Sequence, residues 1–304
     1  MTTEETNPRS IDIDLLTTGE ILRRINEEDA LVAGAVGREL VAIEVAVERV
    51  VEAFARGGRL IYVGAGTSGR LGVLDAAECP PTYGTPPGQV VALLAGGLPA
   101  MTRSIESAED DEREGAREIA ALDVGARDVV VGIAASGRTP YVVGALRAAR
   151  ERGAYTVALT GNRDGPMGQA ADLVIAPQTG PEVVAGSTRM KAGTAQKMVL
   201  NMISTTALIR TGHTYGNLMV DMQSRNSKLW VRAQAIVAQA SGVSREVAAQ
   251  TLQEADGEIK VAIIMCRRGV SAREARAALA RSGGVVRRAL DESLSTTLPD
   301  VDVE

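Results

Sequence analysis

Three short segments rich in glycine and hydroxyl side chains stand where an apolar run or a loop passes into a predicted helix. They are Gly-Ala-Gly-Thr-Ser-Gly at 64–69, Ala-Ser-Gly-Arg-Thr-Pro at 135–140 and Gly-Ser-Thr-Arg-Met-Lys at 186–191, called here the first, second and third turns. A helix amino end offers free backbone N–H groups, small residues allow close approach, and hydroxyls donate further hydrogen bonds, so the pattern predicts phosphate binding. The residues expected to bind are Gly66, Thr67, Ser68, Ser136, Gly137, Thr139, Ser187, Thr188 and Lys191.

Two plainer interpretations apply to the same residues. Serine and threonine often only cap the helix that follows them, which stabilises the helix by about 1 kcal/mol. Lys191 follows Ser187 by one helical turn and either adds a positive charge to the site or is an ordinary solvated lysine. Because three such segments recur in one chain, two of them directly after apolar runs, we favour a phosphate site over caps alone.

The first turn also reads Gly-x-Gly-x-x-Gly, a pattern typical of dinucleotide-binding turns. Such sites carry an acidic residue near the end of the next strand, which binds the ribose. The apolar run at 90–94 is followed by Ala-Gly-Gly instead, so the sequence argues against NAD. The two cysteines, Cys79 and Cys266, have no spacing typical of a zinc site or a disulfide framework.

The elements that would position the turns alternate in type. Short apolar runs at 60–63, 90–94, 129–133, 156–159 and 173–176 are typical of parallel strands buried on both faces. Predicted helices lie at 19–56, 69–78, 98–121, 140–152, 165–171 and 188–210, and only helical segments follow from 226 to 291. We therefore expect an α/β fold with a doubly wound parallel sheet, in which ligands bind at the carboxyl ends of the strands. The expected domains are an N-terminal arm with helices (1–55), the sheet domain (56–220) and a small C-terminal helical bundle (221–304).

Composition narrows the classes of function. Aromatic residues make up only 2% of the chain, too few for the stacking platforms of single-strand binding proteins. The net charge of -5 disfavours nucleic acids and anionic membranes as partners. The first residues are polar and no 18-residue apolar run occurs, so we expect a cytoplasmic protein.

Longer motifs connect the chain to a known family. The first and second turns resemble those of sugar isomerase (SIS) domains, which bind phosphosugars. The stretches at 64–83, 106–112, 181–203 and 215–223, with the segment at 7–15, resemble the N-acetylmuramic acid 6-phosphate etherase family. The resemblance covers nearly the whole chain. It implies a homodimeric lyase without metal or cofactor that cleaves the D-lactyl ether of this phosphorylated amino sugar during cell-wall sugar recycling, with Glu78 and Glu109 as the catalytic carboxylates.

The chemistry of that reaction explains why carboxylates are required. An ether resists simple displacement because an alkoxide leaves poorly, but the open-chain aldehyde of the sugar acidifies the hydrogen on carbon 2. A base can remove this proton while an acid protonates the departing lactyl oxygen on carbon 3, and water then adds to the unsaturated aldehyde. One ionised and one protonated group are needed, with pKa values held apart by their surroundings. With His213 as the only histidine, carboxylates are the natural candidates.

The two glutamates differ in how clearly the residues around them indicate a role. Glu78 precedes Cys-Pro-Pro at 79–81, where the helix is expected to end, which would fix its position. Glu109 is one of several acidic residues at 106–114 and, without the family, is better interpreted as part of a solvated helix start. We expect Glu109 to act as the base and Glu78 as the acid. His213 is expected to be an ordinary imidazole at a helix end or on the surface.

Two other functions remain open at this point. An aldose–ketose phosphosugar isomerase would share the phosphate turns but release no lactate. A non-catalytic sugar-phosphate sensor, such as the glucokinase regulatory protein, is similar to the same family. The presence of both Glu78 and Glu109 within intact motifs favours the enzyme.

Overall fold

The computed structural model describes residues 4–222 and 227–291, which form two compact units. The first unit contains residues 4–78 and 87–207, and the second contains 79–86, 208–222 and 227–291. The predicted division into 1–55, 56–220 and 221–304 stays a prediction, and its last part beyond residue 291 lies outside the described residues. No helix among the described residues is both long enough and apolar enough to span a membrane.

The first unit is built on a five-stranded parallel sheet, as predicted. Its strands are β1 (Leu60–Gly64), β2 (Val90–Leu94), β3 (Val129–Ala134), β4 (Tyr155–Thr160) and β5 (Leu173–Ile175), in the order β2-β1-β3-β4-β5. The order reverses direction between β1 and β3, where doubly wound sheets bind their ligands. Gly64 pairs with Leu94 on one side and with Ile133 on the other, so these three strands end level with one another.

Helices precede, separate and follow these strands. They are α1 (Thr18–Asp29), α2 (Val32–Gly37), α3 (Leu40–Ala55), α4 (Gly66–Tyr83), α5 (Glu112–Ala121), α6 (Pro140–Glu151), α7 (Pro166–Ala170) and α8 (Lys191–Arg210). Short 3-10 turns occur at Ile13–Leu15, Leu98–Met101 and Glu106–Asp110. β1 and β3 are buried along their whole length, which accounts for their continuous apolar sequences.

Three helix predictions were wrong in their extent. The predicted helix at 19–56 is three helices, and the break before α3 lets the Glu39 carboxylate accept a hydrogen bond from the Ala176 N–H at 3.0 Å. The predicted helix at 98–121 is two 3-10 turns followed by α5, because Asp111 adopts an extended conformation and caps α5 by accepting from the Glu114 N–H.

The third correction concerns α4, which does not end at Glu78 but continues through both prolines to Tyr83. The fixed φ of proline is compatible with a helix, and near the end of the helix it removes only two N–H donors. The helix ends instead at Gly84, which has φ +63° and whose N–H donates to the Pro80 carbonyl at 2.9 Å. Such a left-handed C-terminal glycine is a common helix stop.

The second unit is the predicted helical bundle, with a short hairpin that the sequence did not indicate. The hairpin pairs β6 (Thr214–Tyr215) with β7 (Leu218–Met219). The helices are α9 (Ser227–Ser241), α10 (Arg245–Glu254), α11 (Ile259–Arg268), α12 (Ala272–Arg281) and α13 (Val286–Leu290). The middle of α11 is fully buried, while Ser244 and Ser271 cap α10 and α12. These serines account for two of the predicted helix boundaries.

We expect Asp128→Asn to lower the free energy of unfolding by about 2–3 kcal/mol, because it breaks a largely buried ion pair. The Asp128 side chain is 6% exposed and accepts hydrogen bonds from the Arg59 guanidinium and from the Arg59 and Gly125 N–H groups. Burial alone would raise the pKa of Asp128, but the bonds from Arg59 and Gly125 hold it below the ordinary value. Urea unfolding at neutral pH measures the change.

The control is Asp123→Asn, because Asp123 is 96% exposed and its ion pair with Arg152 lies at the surface. Because the folded pKa of Asp128 is depressed, its contribution is present above the unfolded pKa of about 3.9 and is lost as the pH falls through the folded value. Between neutral pH and pH ~3 the wild type should therefore lose more stability than Asp128→Asn does. Equal stability of the two Asn variants would contradict the assignment.

Candidate active site

The first and second turns lie side by side at the carboxyl edge of the sheet. The first turn leaves β1 and begins α4 at Gly66, which has φ +51°. The backbone folds back closely here, since a Cβ on Gly69 would lie 2.5 Å from the Gly64 carbonyl oxygen. The pairing of Gly64 with Ile133 brings the start of the second turn next to the start of the first.

The second turn presents hydroxyls that are not needed to cap α6. The Ser136 Oγ accepts from the Arg138 N–H at 3.3 Å, so its own proton is available to donate elsewhere. Thr139 is the N-cap residue of α6, but its side chain makes no capping hydrogen bond. Gly137 has φ +70° and packs so closely that a Cβ would lie 2.6 Å from the Thr160 Oγ1. The cap interpretation therefore does not account for Thr139.

The third turn lies beside the first. Gly193, in the first turn of α8, would place a Cβ 3.6 Å from the Thr67 Cγ2. The Ser68 Oγ donates to the Gln196 Oε1 at 2.9 Å, which joins α4 to α8. Ser187 and Thr188 are partly exposed, between Gly186 with φ +76° and the start of α8. The sheet thus brings all three predicted turns to one edge.

The structure places Lys191 differently from the other predicted binding residues. Its side chain is 1% exposed and its Nζ lies 2.6 Å from the Oε2 of Glu28, which is itself 3% exposed. The backbone N–H groups of Lys191 and Ala192 donate to the carboxylate of buried Glu182, at 3.0 and 2.9 Å. The charge of Lys191 and two free N–H groups of α8 are therefore already used within the protein. This arrangement does not favour phosphate binding by Lys191, which stays an untested prediction.

Glu109 lies in the 3-10 turn Glu106–Asp110, which follows β2 at the same edge of the sheet. This turn packs over Gly96, since a Cβ there would lie 3.2 Å from the Ile105 Cδ1 and 3.4 Å from the Ala108 Cβ. Arg70, in the first turns of α4, donates to the carbonyls of Ala100 and Arg103 and so holds the chain that leads into the 3-10 turn. Glu109 is exposed.

Glu78 is also exposed, but the fold does not place it near the turns of its own chain. It follows Gly66 by twelve residues in the continuous helix α4, a distance of about 18 Å along the axis at about 1.5 Å per residue. A monosaccharide phosphate bound at the first turn does not span that length. The structure therefore brings together the phosphate turns and the Glu109 segment, but not Glu78.

Several residues that organise this edge were not predicted. Arg70 and Gln196 hold the Glu109 segment and Ser68, and Glu182 caps α8. Asp75 accepts hydrogen bonds from the Tyr62 hydroxyl and from Asn201 on α8, at 2.8 and 2.6 Å. Their positions inside the family-like stretches at 64–83 and 181–203 were the available signal. Spacing alone could not show which residues are partners, and the Ser68–Gln196 and Asp75–Asn201 pairs join residues more than 120 positions apart.

In the second unit, His213 follows the end of α8, and its Nδ1 lies 2.8 Å from the Asp221 Oδ2. The Lys260 Nζ lies 2.5 Å from the same oxygen. His213 is thus at a helix end, as predicted, with an acidic partner. Within residues 4–222 and 227–291, no group of three or more histidine, cysteine, aspartate or glutamate side chains could hold a metal ion.

Comparison with known proteins gives a consistent family. Residues 42–150 match the glucokinase regulatory protein N-terminal SIS domain, and residues 112–206 match the SIS domain. A protein of Edwardsiella ictaluri named N-acetylmuramic acid 6-phosphate etherase is 55% identical over 96% of this chain and 97% of its own length. A Geobacillus thermodenitrificans protein of the same name is 53% identical over 96% of this chain and 99% of its own length. A solved phosphoheptose isomerase from Neisseria gonorrhoeae is 21% identical, with a TM-score of 0.49 over 63% of this chain and 98% of its own.

Proposed function

We infer the reaction from the premise that this chain belongs to the N-acetylmuramic acid 6-phosphate etherase family, with which it shares half of its residues over nearly its whole length. It is a carbon–oxygen lyase that cleaves the D-lactyl ether of N-acetylmuramic acid 6-phosphate to N-acetylglucosamine 6-phosphate and D-lactate. Full-length relatives of this name favour the etherase over the isomerase and the sensor. Assay of D-lactate after incubation of the purified protein with the substrate tests the conclusion directly.

For the chemical step, we propose that Glu109 removes the carbon-2 proton and Glu78 protonates the lactyl oxygen as it leaves carbon 3. Elimination gives the unsaturated aldehyde, and addition of water at carbon 3 completes the reaction. Both carboxylates are exposed, as groups that must reach a substrate have to be. The position of Glu109 beside the phosphate turns supports its assignment as the group that meets carbon 2.

We propose that the 6-phosphate binds at the first, second and third turns, and we expect it to be required for turnover. The free hydroxyl proton of Ser136 and the backbone N–H groups at the starts of α4 and α6 support this placement. Ser136→Ala should weaken substrate binding by about 1–3 kcal/mol, the usual loss for a hydrogen bond to a charged group. The measurement is KM for the phosphorylated sugar. Equal turnover of phosphorylated and unphosphorylated N-acetylmuramic acid would contradict the proposal.

We also propose that the protein is a homodimer in which one subunit supplies Glu109 with the phosphate turns and the other supplies Glu78. The length of α4 that separates Glu78 from the first turn supports this arrangement. The cytoplasm, where cell-wall amino sugars would be recycled, is the proposed location.

Mixing two inactive variants tests the shared site. If Glu78→Gln and Glu109→Gln subunits are co-expressed and assemble at random, half of the dimers are mixed and each mixed dimer has one intact site. About one quarter of wild-type activity should therefore return, as symmetry requires. Each variant co-expressed with itself is the control. No recovery in isolated mixed dimers would show that both glutamates act within one subunit.

A further inference from the structure

The segment at residues 7–10, called here the arm, has no role in the proposed reaction, yet it is tied to the chain that leads into the third turn. The Asn7 Nδ2 donates to the Pro181 carbonyl at 3.2 Å, and the Ser10 Oγ donates to the Val183 carbonyl at 2.7 Å. Asn7 and Ser10 are both buried. These bonds join parts of the chain more than 170 residues apart, so they are features of the tertiary structure and not of a local turn.

Between those two carbonyls lies Glu182, which connects the same segment to α8. Its carboxylate accepts from the Lys191 N–H and the Ala192 N–H, and it is 1% exposed. A carboxylate at a helix amino end is favoured both by these free donors and by the helix dipole. Pro181, Glu182 and Val183 are therefore each held by a partner, and the third turn begins three residues later.

A buried ion pair fixes the other end of the segment that contains the third turn. The Lys191 Nζ lies 2.6 Å from the Glu28 Oε2, and the Asn7 Nδ2 donates to that same oxygen at 2.9 Å. Burial alone would raise the pKa of Glu28, but hydrogen bonds from Lys191 and Asn7, with the nearby charges of Lys191 and Arg9, hold the pKa below its ordinary value. The arm, α1 and the start of α8 thus meet at one carboxylate.

The residues between these two anchors, 184–190, include all of the third turn except Lys191. Val184, Ala185 and Gly186 are exposed, and Ser187 and Thr188 are partly exposed. The segment is thus fixed at 181–183 and at 191–192, while Ser187 and Thr188 between them are partly exposed. Binding groups are held accurately only when the residues that support them are themselves fixed.

We propose that Asn7, Ser10 and the Glu28–Lys191 pair are positioning residues, which hold the third turn in the conformation that binds the sugar phosphate. This assigns a role to the arm and gives Lys191 a function other than direct phosphate contact. The proposal rests on the proposed function for the identity of the ligand, but the conformation of the third turn can be measured without any reaction.

The main test compares Asn7→Ala and Ser10→Ala with the wild type. Each should raise KM and the inhibition constant of N-acetylglucosamine 6-phosphate by about tenfold, with kcat changed by less than about twofold, because ground-state positioning and not the chemical step is disturbed. Ser10→Thr keeps the hydroxyl and should restore wild-type KM. Asp14→Asn, an exposed change just beyond the arm, is the matched control. KM and inhibition constant unchanged in both alanine variants would overturn the proposal, as would loss of kcat alone.

Hydrogen exchange separates this proposal from the proposed function. In Ser10→Ala, peptides covering 184–190 should exchange faster than in the wild type, while peptides from β3 should exchange at the same rate, because local opening leaves the core intact. A protein that releases no lactate but shows this local effect would refute only the proposed reaction. Lactate release by the wild type with unchanged exchange at 184–190 in both alanine variants would refute only the positioning role. If Asn7→Ala fails to fold, Ser10→Ala decides the outcome.

Discussion

A Glu109→Gln enzyme should release D-lactate about 100- to 10,000-fold more slowly than the wild type, the usual loss when a general base is removed. It should also stop exchanging the carbon-2 hydrogen of the substrate with deuterated water. The amide of glutamine cannot accept that proton at neutral pH, and no later step can proceed without its removal. Lactate assay and mass spectrometry of recovered substrate measure the two effects on the same sample.

The matched control for this variant is Glu112→Gln. Glu112 lies three residues further on and is exposed, and its ion pair with Arg147 at 2.6 Å is a surface pair of little energetic value. It should retain wild-type rates in both assays. If the Glu109→Gln enzyme keeps carbon-2 exchange, Glu109 is not the base. If it releases lactate at the wild-type rate, Glu109 has no part in the mechanism.

The second large effect belongs to Glu78→Gln, which should lose lactate release by a similar factor of about 100 to 10,000 but keep carbon-2 exchange. Deprotonation of carbon 2 can reverse independently, whereas departure of the lactyl oxygen also needs an acid. Glutamine in place of Glu78 leaves the base in position and removes only the proton donor. The ratio of exchange to lactate release should therefore rise sharply in this variant.

The opposite pattern of carbon-2 hydrogen exchange in the two variants would reverse the assignment of acid and base. Exchange lost in Glu78→Gln and retained in Glu109→Gln would make Glu78 the base. Loss of both exchange and lactate release in both variants would indicate that each carboxylate is needed to bind the open-chain sugar, a result that product inhibition constants would reveal. A normal inhibition constant in each variant keeps the assignment to the chemical step.

Burial separates the structural carboxylates of this protein from the proposed catalytic ones. Glu28, Asp75, Asp128 and Glu182 are all buried, and each accepts hydrogen bonds from named partners. A buried carboxylate without such partners would be strongly destabilising, so its partners are part of the fold. Glu78 and Glu109 carry no such requirement because they are exposed. The fold therefore does not require a carboxylate at either position, and the proposed reaction gives the reason for one.

Local patterns were enough to predict the strands, the parallel sheet and the three turns. Continuous apolar runs such as 129–133 are typical of strands covered on both faces, and a glycine- and hydroxyl-rich turn after such a run lies at the carboxyl edge of any parallel sheet. Helix ends were predicted less well, because both outcomes at Pro80 and at Asp111 are locally acceptable. The choice there depends on small differences in capping and hydrogen bonding.

The partners of charged residues were decided only by the tertiary structure. In the sequence Lys191 is a lysine in a phosphate-binding turn, but the fold buries it against Glu28, 163 residues away, because an unpaired buried charge would cost too much. The position of Glu78 was also decided by the structure. The sequence shows only that Glu78 belongs to the stretch at 64–83, whereas the continuous helix α4 carries it about 18 Å from the first turn. Periodicity and spacing report on neighbours along the chain, whereas ion pairs, caps and shared sites depend on which distant segments the sheet brings together.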